Sequence, residues 1–172
     1  ISHRISIEGG AVPTLAEIIR AKKTNVSEGD WKTGKIPNKV FPLIRGTRSI
    51  PVGPSWSWRM CEFQALDLHF RVLIRLNTDK ERYHAILGFE TDGQFRVICH
   101  HELHPPEKGW HCHFAVGNVF DVLPGVLRDR HRFKMREATP SEASRIKFTV
   151  DKANGLTLAA IRYRFQAQGA LL

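Results

Sequence analysis

The stretch RYHAILGFETDGQFRVICHHELHPPEKGWHCHFAV, residues 82–116, decides the fold. Apolar and polar residues alternate with period two in 82–90, 94–101 and 110–116, which is strand patterning. Thr91-Asp92-Gly93 separates the first two runs. The third follows His104 to Gly109, with Pro105-Pro106 inside. Both connections suit antiparallel hairpins. Outward toward the N-terminus, LDLHFRVLIRL at 66–76 adds a fourth run, closed by Asn77-Thr78-Asp79-Lys80. The expectation is an α+β fold: an antiparallel meander of four or more strands with one or two helices packed on one face.

The flanks supply those helices. Thr14 and Glu17 form a capping-box pattern that opens a helix to about Lys23, with Leu15, Ile18 and Ile19 inward. Residues 25–60 read as a long loop, broken by Gly29, Gly34, Gly46, Gly53, Pro37, Pro42, Pro51 and Pro54. Pro124-Gly125 turns the chain, and 126–136 reads as a further strand. Thr139-Pro140-Ser141-Glu142 opens a helix expected to end at Asn154-Gly155, with Ala143, Ile146, Val150 and Ala153 on one face. Residues 156–165 close the fold as a strand or a second helix. The whole reads as one domain, 1–172, in three parts: helix plus loop (1–60), His-rich meander (61–127), and basic strand, helix and closing element (128–172).

Alternation sorts the meander into two faces. One collects Phe70, Val72, Ile74 and Leu76, then Tyr83, Ala85, Leu87 and Phe89, then Phe95, Val97 and Cys99, then Trp110, Cys112, Phe114 and Val116. This is a core. The other, expected to be open, collects His69, Arg71, Arg75, His84, Arg96, His100, His111 and His113, which no core argument explains. Paired histidines accept and return protons near neutral pH, and arginine holds phosphate through paired donors. The leading expectation is therefore a metal-independent endoribonuclease. In it His84, His100, His111 and His113 do acid–base work, and Arg96 balances charge on the phosphorane. No cofactor is needed for that chemistry.

Two metal readings stand beside it, with zinc or another divalent ion as cofactor. Cys99, His100, His101, His104, His111, Cys112 and His113 contain enough donors for a zinc site. Parity, however, points Cys99 and Cys112 away from His100, His111 and His113; a bulge at the paired histidines would undo this, with His101, Cys99 and Cys112 sharing the inner face, and a site of the three histidines alone stands beside it. His111-Cys112-His113 also fits the His-hydrophobe-His element of single-strand nicking endonucleases, with Tyr163 as nucleophile. A further alternative is a non-catalytic nucleic-acid or protein-binding module with structural histidines.

Charge favours a polyanionic partner. The 172 residues carry a formal +9, and the pI is near 9.9. Residues 1–60 hold ten Lys/Arg against four Asp/Glu, 61–127 hold six against nine, and 128–172 hold ten against four. The excess thus lies on the flanks, while the centre is slightly acidic and has seven of the nine histidines. Arg128, Arg130, Arg132, Lys134 and Arg136 share one parity and would form one basic edge on a strand. The alternative is an edge strand guarded by charge. Arg45, Arg48, Trp56, Trp58 and Arg59 mix cations with rings, suited either to gripping nucleic acid with Arg71 and Arg75 or to plugging the core. RNA is the favoured partner. Three cysteines are too few for a disulfide scaffold and point to a reducing, cytoplasmic setting. No apolar run is long enough for a membrane span. The first residue is Ile1, so a trimmed or excerpted chain is also expected.

The run Tyr83-His84, Phe95-Arg96, His100-His101 and His111-Cys112-His113 resembles the His-rich β-meander toxins of bacterial toxin–antitoxin modules (the TumE-like group), over residues 66–127. The resemblance implies an intracellular growth-inhibiting toxin acting on RNA and neutralised by a cognate antitoxin. It marks His100, His101, His111 and His113 as candidate positions.

Overall fold

The computed structural model describes residues 12–43, 50, 53–104, 109–137 and 149–166. They build an eight-stranded antiparallel sheet. Its strands are β1 (Thr24–Glu28), β2 (Lys32–Thr33), β3 (Ser57–Ala65), β4 (Leu68–Asn77), β5 (Arg82–Thr91), β6 (Gln94–Leu103), β7 (Trp110–Ala115) and β8 (Phe133–Glu137). Spatial order is β1-β3-β4-β5-β6-β7-β8, and β2 shares the β3 edge with β1. From β4 to β7 it is the meander that alternation predicts, and β3, which begins inside the stretch read as loop, extends it by one strand that was not expected. Two-residue turns at Leu66-Asp67 and Asp92-Gly93 have positive φ throughout, which matches the twist of the strands they join. β1 and β2 were hidden in sequence because TNVSE and KT hold a single apolar residue, Val26, and bury none of their residues fully.

Two helices, α1 (Leu15–Arg20) and α2 (Gly155–Tyr163), pack on one face. Thr14 and Glu17 close the expected capping box, and α1 buries Ile18. It ends at Arg20, short of Lys23, whose ammonium instead caps the carbonyls of Ile18, Ile19 and Ala21. Two tyrosines pin α2 to β5: the Tyr83 hydroxyl donates to Gly155 O at 2.8 Å, and the Tyr163 hydroxyl to Ala85 O at 2.6 Å. Residues 156–165 therefore resolve largely as helix. The helix expected from Thr139 lies mostly outside the described residues. Its described end, 149–154, is turn, because the Asp151 carboxylate takes the N–H groups of Ala153 and Asn154. Asn154-Gly155 opens α2 and does not end a helix.

The opposite face is covered too, contrary to the expectation of an open face. Phe41, Trp58, Leu73, Ile86, Phe95 and Val97 form a second apolar cluster, flanked by Ile36, Val40 and Leu43. Residues 36–43 of the long loop thus lie over the sheet, and the apolar residues of that loop are what its Gly and Pro content concealed.

A β-bulge in β6 sets which side chains reach which face. Leu87 pairs with Cys99, but the next residue, Gly88, pairs with Val97, leaving Ile98 as the extra residue. Parity inverts there. Phe95 and Val97 point to the second cluster, whereas Ile98 and Cys99 join the helix-side core. Alternation without a bulge had placed Phe95 and Val97 with Cys99, and Arg96 with the histidines; both assignments are reversed. Arg96 bonds Phe120 O at 3.1 Å and Gln94 Oε1 at 2.9 Å.

The basic strand is also shorter than expected. Only Lys134 and Arg136 of the five cations lie in β8. Arg128, Arg130 and Arg132 belong to a turn organised by Asp129, whose carboxylate takes the N–H of Leu123 at 2.8 Å and of His131 at 3.0 Å.

The bulge leaves no room at Gly88. A Cβ there would lie 2.4 Å from Phe95 Cζ and 2.9 Å from Arg96 O. Gly88→Ala is expected to destabilise the fold by about 1–3 kcal/mol, the usual cost of overpacking. Urea unfolding measures it, and an unchanged midpoint would contradict this packing.

Candidate functional site

Register brings five histidines onto one carboxylate. In β6, His100 and Glu102 follow the bulge with the same parity. Glu102 pairs with His84 of β5 on one side and His111 of β7 on the other, while His100 pairs with His113. His104 follows the end of β6. Arg128 enters from the loop before β8.

Glu102 is 1% exposed. Its Oε2 lies 3.0 Å from His84 Nδ1, 3.4 Å from His100 Nε2 and 3.7 Å from His104 Nε2. Its Oε1 lies 3.1 Å from His111 Nε2 and 2.9 Å from His113 Nε2, and pairs closely with Arg128 Nη2. Arg128 Nε also donates to His100 Nδ1 at 3.3 Å. His84 Nδ1 and His100 Nε2 are 3.0 Å apart. Ring contacts link the imidazoles of His84, His100, His104, His111 and His113 in one cluster.

Electrostatics follow from burial. Desolvation pushes His84 down to about 4 and holds His100 well below the ordinary 6.5. Burial alone would raise the Glu102 carboxyl, but hydrogen bonds from His111, His113 and His84 outweigh it, so the group stays well below the usual carboxylate range. The cluster therefore combines neutral imidazoles at His84 and His100 with an ionised carboxylate. Those are the protonation states in which these groups bind metal ions. They are poor states for His100 as an acid–base catalyst near neutral pH.

Of the expected site residues, His84, His100, His111 and His113 come together as alternation implied. Arg75, 3% exposed, stacks on Trp56 at 4.3 Å, and Trp56 meets His84 at 5.6 Å between ring centroids. Burial lowers Arg75 to about 9. Arg71 holds the covering segment through Lys39 O and Val40 O, and pairs with Glu62 and Glu90. Trp58 is core and bonds Gly34 O; Arg59 lies over Trp31. Arg130, Lys134 and Arg136 are exposed, and Arg132 pairs with Asp121 at 3.5 Å. Arg45 and Arg48 lie outside the described residues. Tyr163, the candidate nucleophile, is fully buried on the helix side with its hydroxyl on Ala85 O, on the opposite face of the sheet from the histidines.

Cys99 and Cys112 point to the helix side, with sulfurs 3.3 Å apart and Arg162 Nη2 donating to Cys112 at 3.0 Å. His101 is on that side as well, stacked on Trp110 at 4.7 Å. A mixed zinc site of these cysteines with His100, His111 or His113 is thus divided by the sheet, and Cys99, Cys112 and His101, though on one side, do not bring their donor atoms together as the two Glu102 groups do. Sequence reading named His104 only as a candidate zinc donor, and it missed Glu102 and the approach of Arg128. Glu102 had a signal: it lies two residues beyond His100, on the same parity, one step past the expected strand end at 101.

Comparison with family models, curated proteins and solved structures found no match. No helix among the described residues is long and apolar enough to cross a membrane.

The buried rings make the fold acid-sensitive. Burial holds His84 at about 4 and His101 at about 3, so below 6.5 the unfolded chain takes up protons that the folded chain refuses. Their contribution is complete above pH 6.5 and is lost as pH falls toward those folded values, by ~1.4 kcal/mol per pH unit per ring. Melting temperatures across this range are expected to drop steeply below 6.5. A flat profile would show that the rings are not held neutral.

Proposed function

We propose that the protein is a metal-dependent phosphodiesterase acting on nucleic acid, RNA first, with the Glu102 histidine cluster holding a divalent transition metal. One observation carries this reading: His84, His100 and Glu102 present three donor atoms 3.0, 3.0 and 3.4 Å apart. Donors bound at about 2.0–2.2 Å to one ion stand roughly 3–3.5 Å from each other. Imidazole with carboxylate suits zinc, manganese, iron, cobalt or nickel.

Such an ion polarises a phosphoryl oxygen and lowers the pKa of bound water. The chain's own residues supply the rest. Glu102 and the imidazoles fix the ion, and the second apolar cluster shields the sheet from water. Arg128, with 37% of its side chain exposed beside Glu102, offers a guanidinium to a phosphate oxygen. Of the exposed cations, Arg130 lies just before β8, the strand next to the one bearing His111 and His113, while Lys134 and Arg136 pair with Phe114 and Cys112 and so share the helix-side face of that edge strand. Along this edge they would supply grip independent of sequence. The toxin resemblance agrees with RNA as target and adds a cognate antitoxin as partner.

The test is incubation of chelator-stripped and metal-reloaded protein with labelled RNA and single-stranded DNA. Cleavage is expected only after reloading, absent in His113→Ala, and reduced about 100-fold in Arg128→Ala. Cleavage that persists in chelator would restore the metal-free acid–base mechanism. Intact substrate with every metal would leave a binding module.

Grip is tested separately. Replacing Arg130 and Arg136 with Ala is expected to weaken RNA binding and to lower the slope of log affinity against log salt by about 1–2. An unchanged slope would place the RNA elsewhere.

A further inference from the structure

We infer that the cluster is a dinuclear centre: two divalent metal ions bridged by the single carboxylate of Glu102. This rests on the metal reading above and deepens it. The contacts divide cleanly between the two carboxylate oxygens. Oε2 faces His84, His100 and His104, at 3.0, 3.4 and 3.7 Å. Oε1 faces His111 and His113, at 3.1 and 2.9 Å. Two donor groups result, His84/His100/Glu102 and Glu102/His111/His113, each with its ligand atoms within 4.8 Å of one another.

Donor number points the same way. Five imidazoles and a carboxylate exceed the four ligands of a tetrahedral ion, while two ions take three or four each. A carboxylate that binds one ion through each oxygen suits the spacing of about 3.5–4 Å found in two-metal sites, which clamp the attacking and leaving oxygens of a phosphodiester. Positions left open on each ion are those that water and substrate fill.

The two positions differ. Depth hardly separates them: the side chains of His84 and His100 are 12% and 2% exposed, and that of His111 is 2% exposed. The His111/His113 position opens at His113, whose side chain is 15% exposed, and Arg128 competes there for Oε1. The ion at the His111/His113 position, where the guanidinium competes for Oε1, therefore binds more weakly and exchanges first. Removing the guanidinium tightens that position most, and at the other it frees His100 Nδ1 from Arg128 Nε.

Metal uptake by the full chain tests this without reference to cleavage. Chelator-stripped protein is titrated with zinc and with manganese, followed by calorimetry and by elemental analysis after desalting. Two ions per chain are expected, in two steps of unequal affinity. His113→Gln and His84→Gln are each expected to retain one. Arg128→Ala is expected to tighten the weaker step about tenfold or more and to change the stronger one less. The manganese form should give a spin-coupled paramagnetic resonance signal that becomes that of an isolated ion in either histidine variant. Circular dichroism checks that each variant folds, and His104→Gln replaces His84→Gln if the latter does not. One ion per chain, lost in both histidine variants, would overturn the bridge. No uptake would overturn both the bridge and the metal reading. Two ions without cleavage of any nucleic acid would uphold the bridge and reject the substrate.

Discussion

A carboxylate buried at 1% exposure and kept ionised is the constraint on which the rest of this structure depends. Removing such a charge from water costs several kcal/mol unless partners surround it. Glu102 has partners on both sides of its strand, and each must arrive at one register position. Sliding β5 or β7 by one residue would turn its histidines to the helix side and strand the charge. The hairpin turns that fix register therefore also fix the site. Asp92-Gly93, a two-residue turn between β5 and β6, sets one side of it.

The two apolar layers make that register rigid. Helices cover one face of the sheet, and the segment around Phe41 covers the other. A strand packed on both sides has no free face on which a slipped register would be tolerated. The long loop that looked unstructured by composition thus has a structural task. Arg71 shows the coupling, holding that segment by its carbonyls while paired to two carboxylates of the sheet.

Much of this was legible in sequence, because period-two alternation is a direct image of a pleated sheet. The strand runs at 66–76, 82–90, 94–101 and 110–116 and the shared face of His84, His100, His111 and His113 all follow from it. Three things were not legible. A bulge has no compositional mark at Ile98, so Arg96 was assigned to the wrong face. Asp129 folds a turn out of residues whose parity mimicked a strand, so the five cations do not align. Glu102 was lost to a strand end set one residue short, and with it the group around which the histidines gather. Without that carboxylate, the histidines suggest proton transfer. With it, they suggest coordination.

The histidines around Glu102 come from three consecutive strands, β5, β6 and β7, so the chain closes only short loops to assemble them. Closure entropy grows with loop length, and contacts between sequence neighbours form early in folding. Arg128 alone arrives from beyond β7. The site is thus written into the chain as a nearly continuous passage, from His84 to His113. A cation that bound it would stabilise three strands of a half-folded chain before the helices docked.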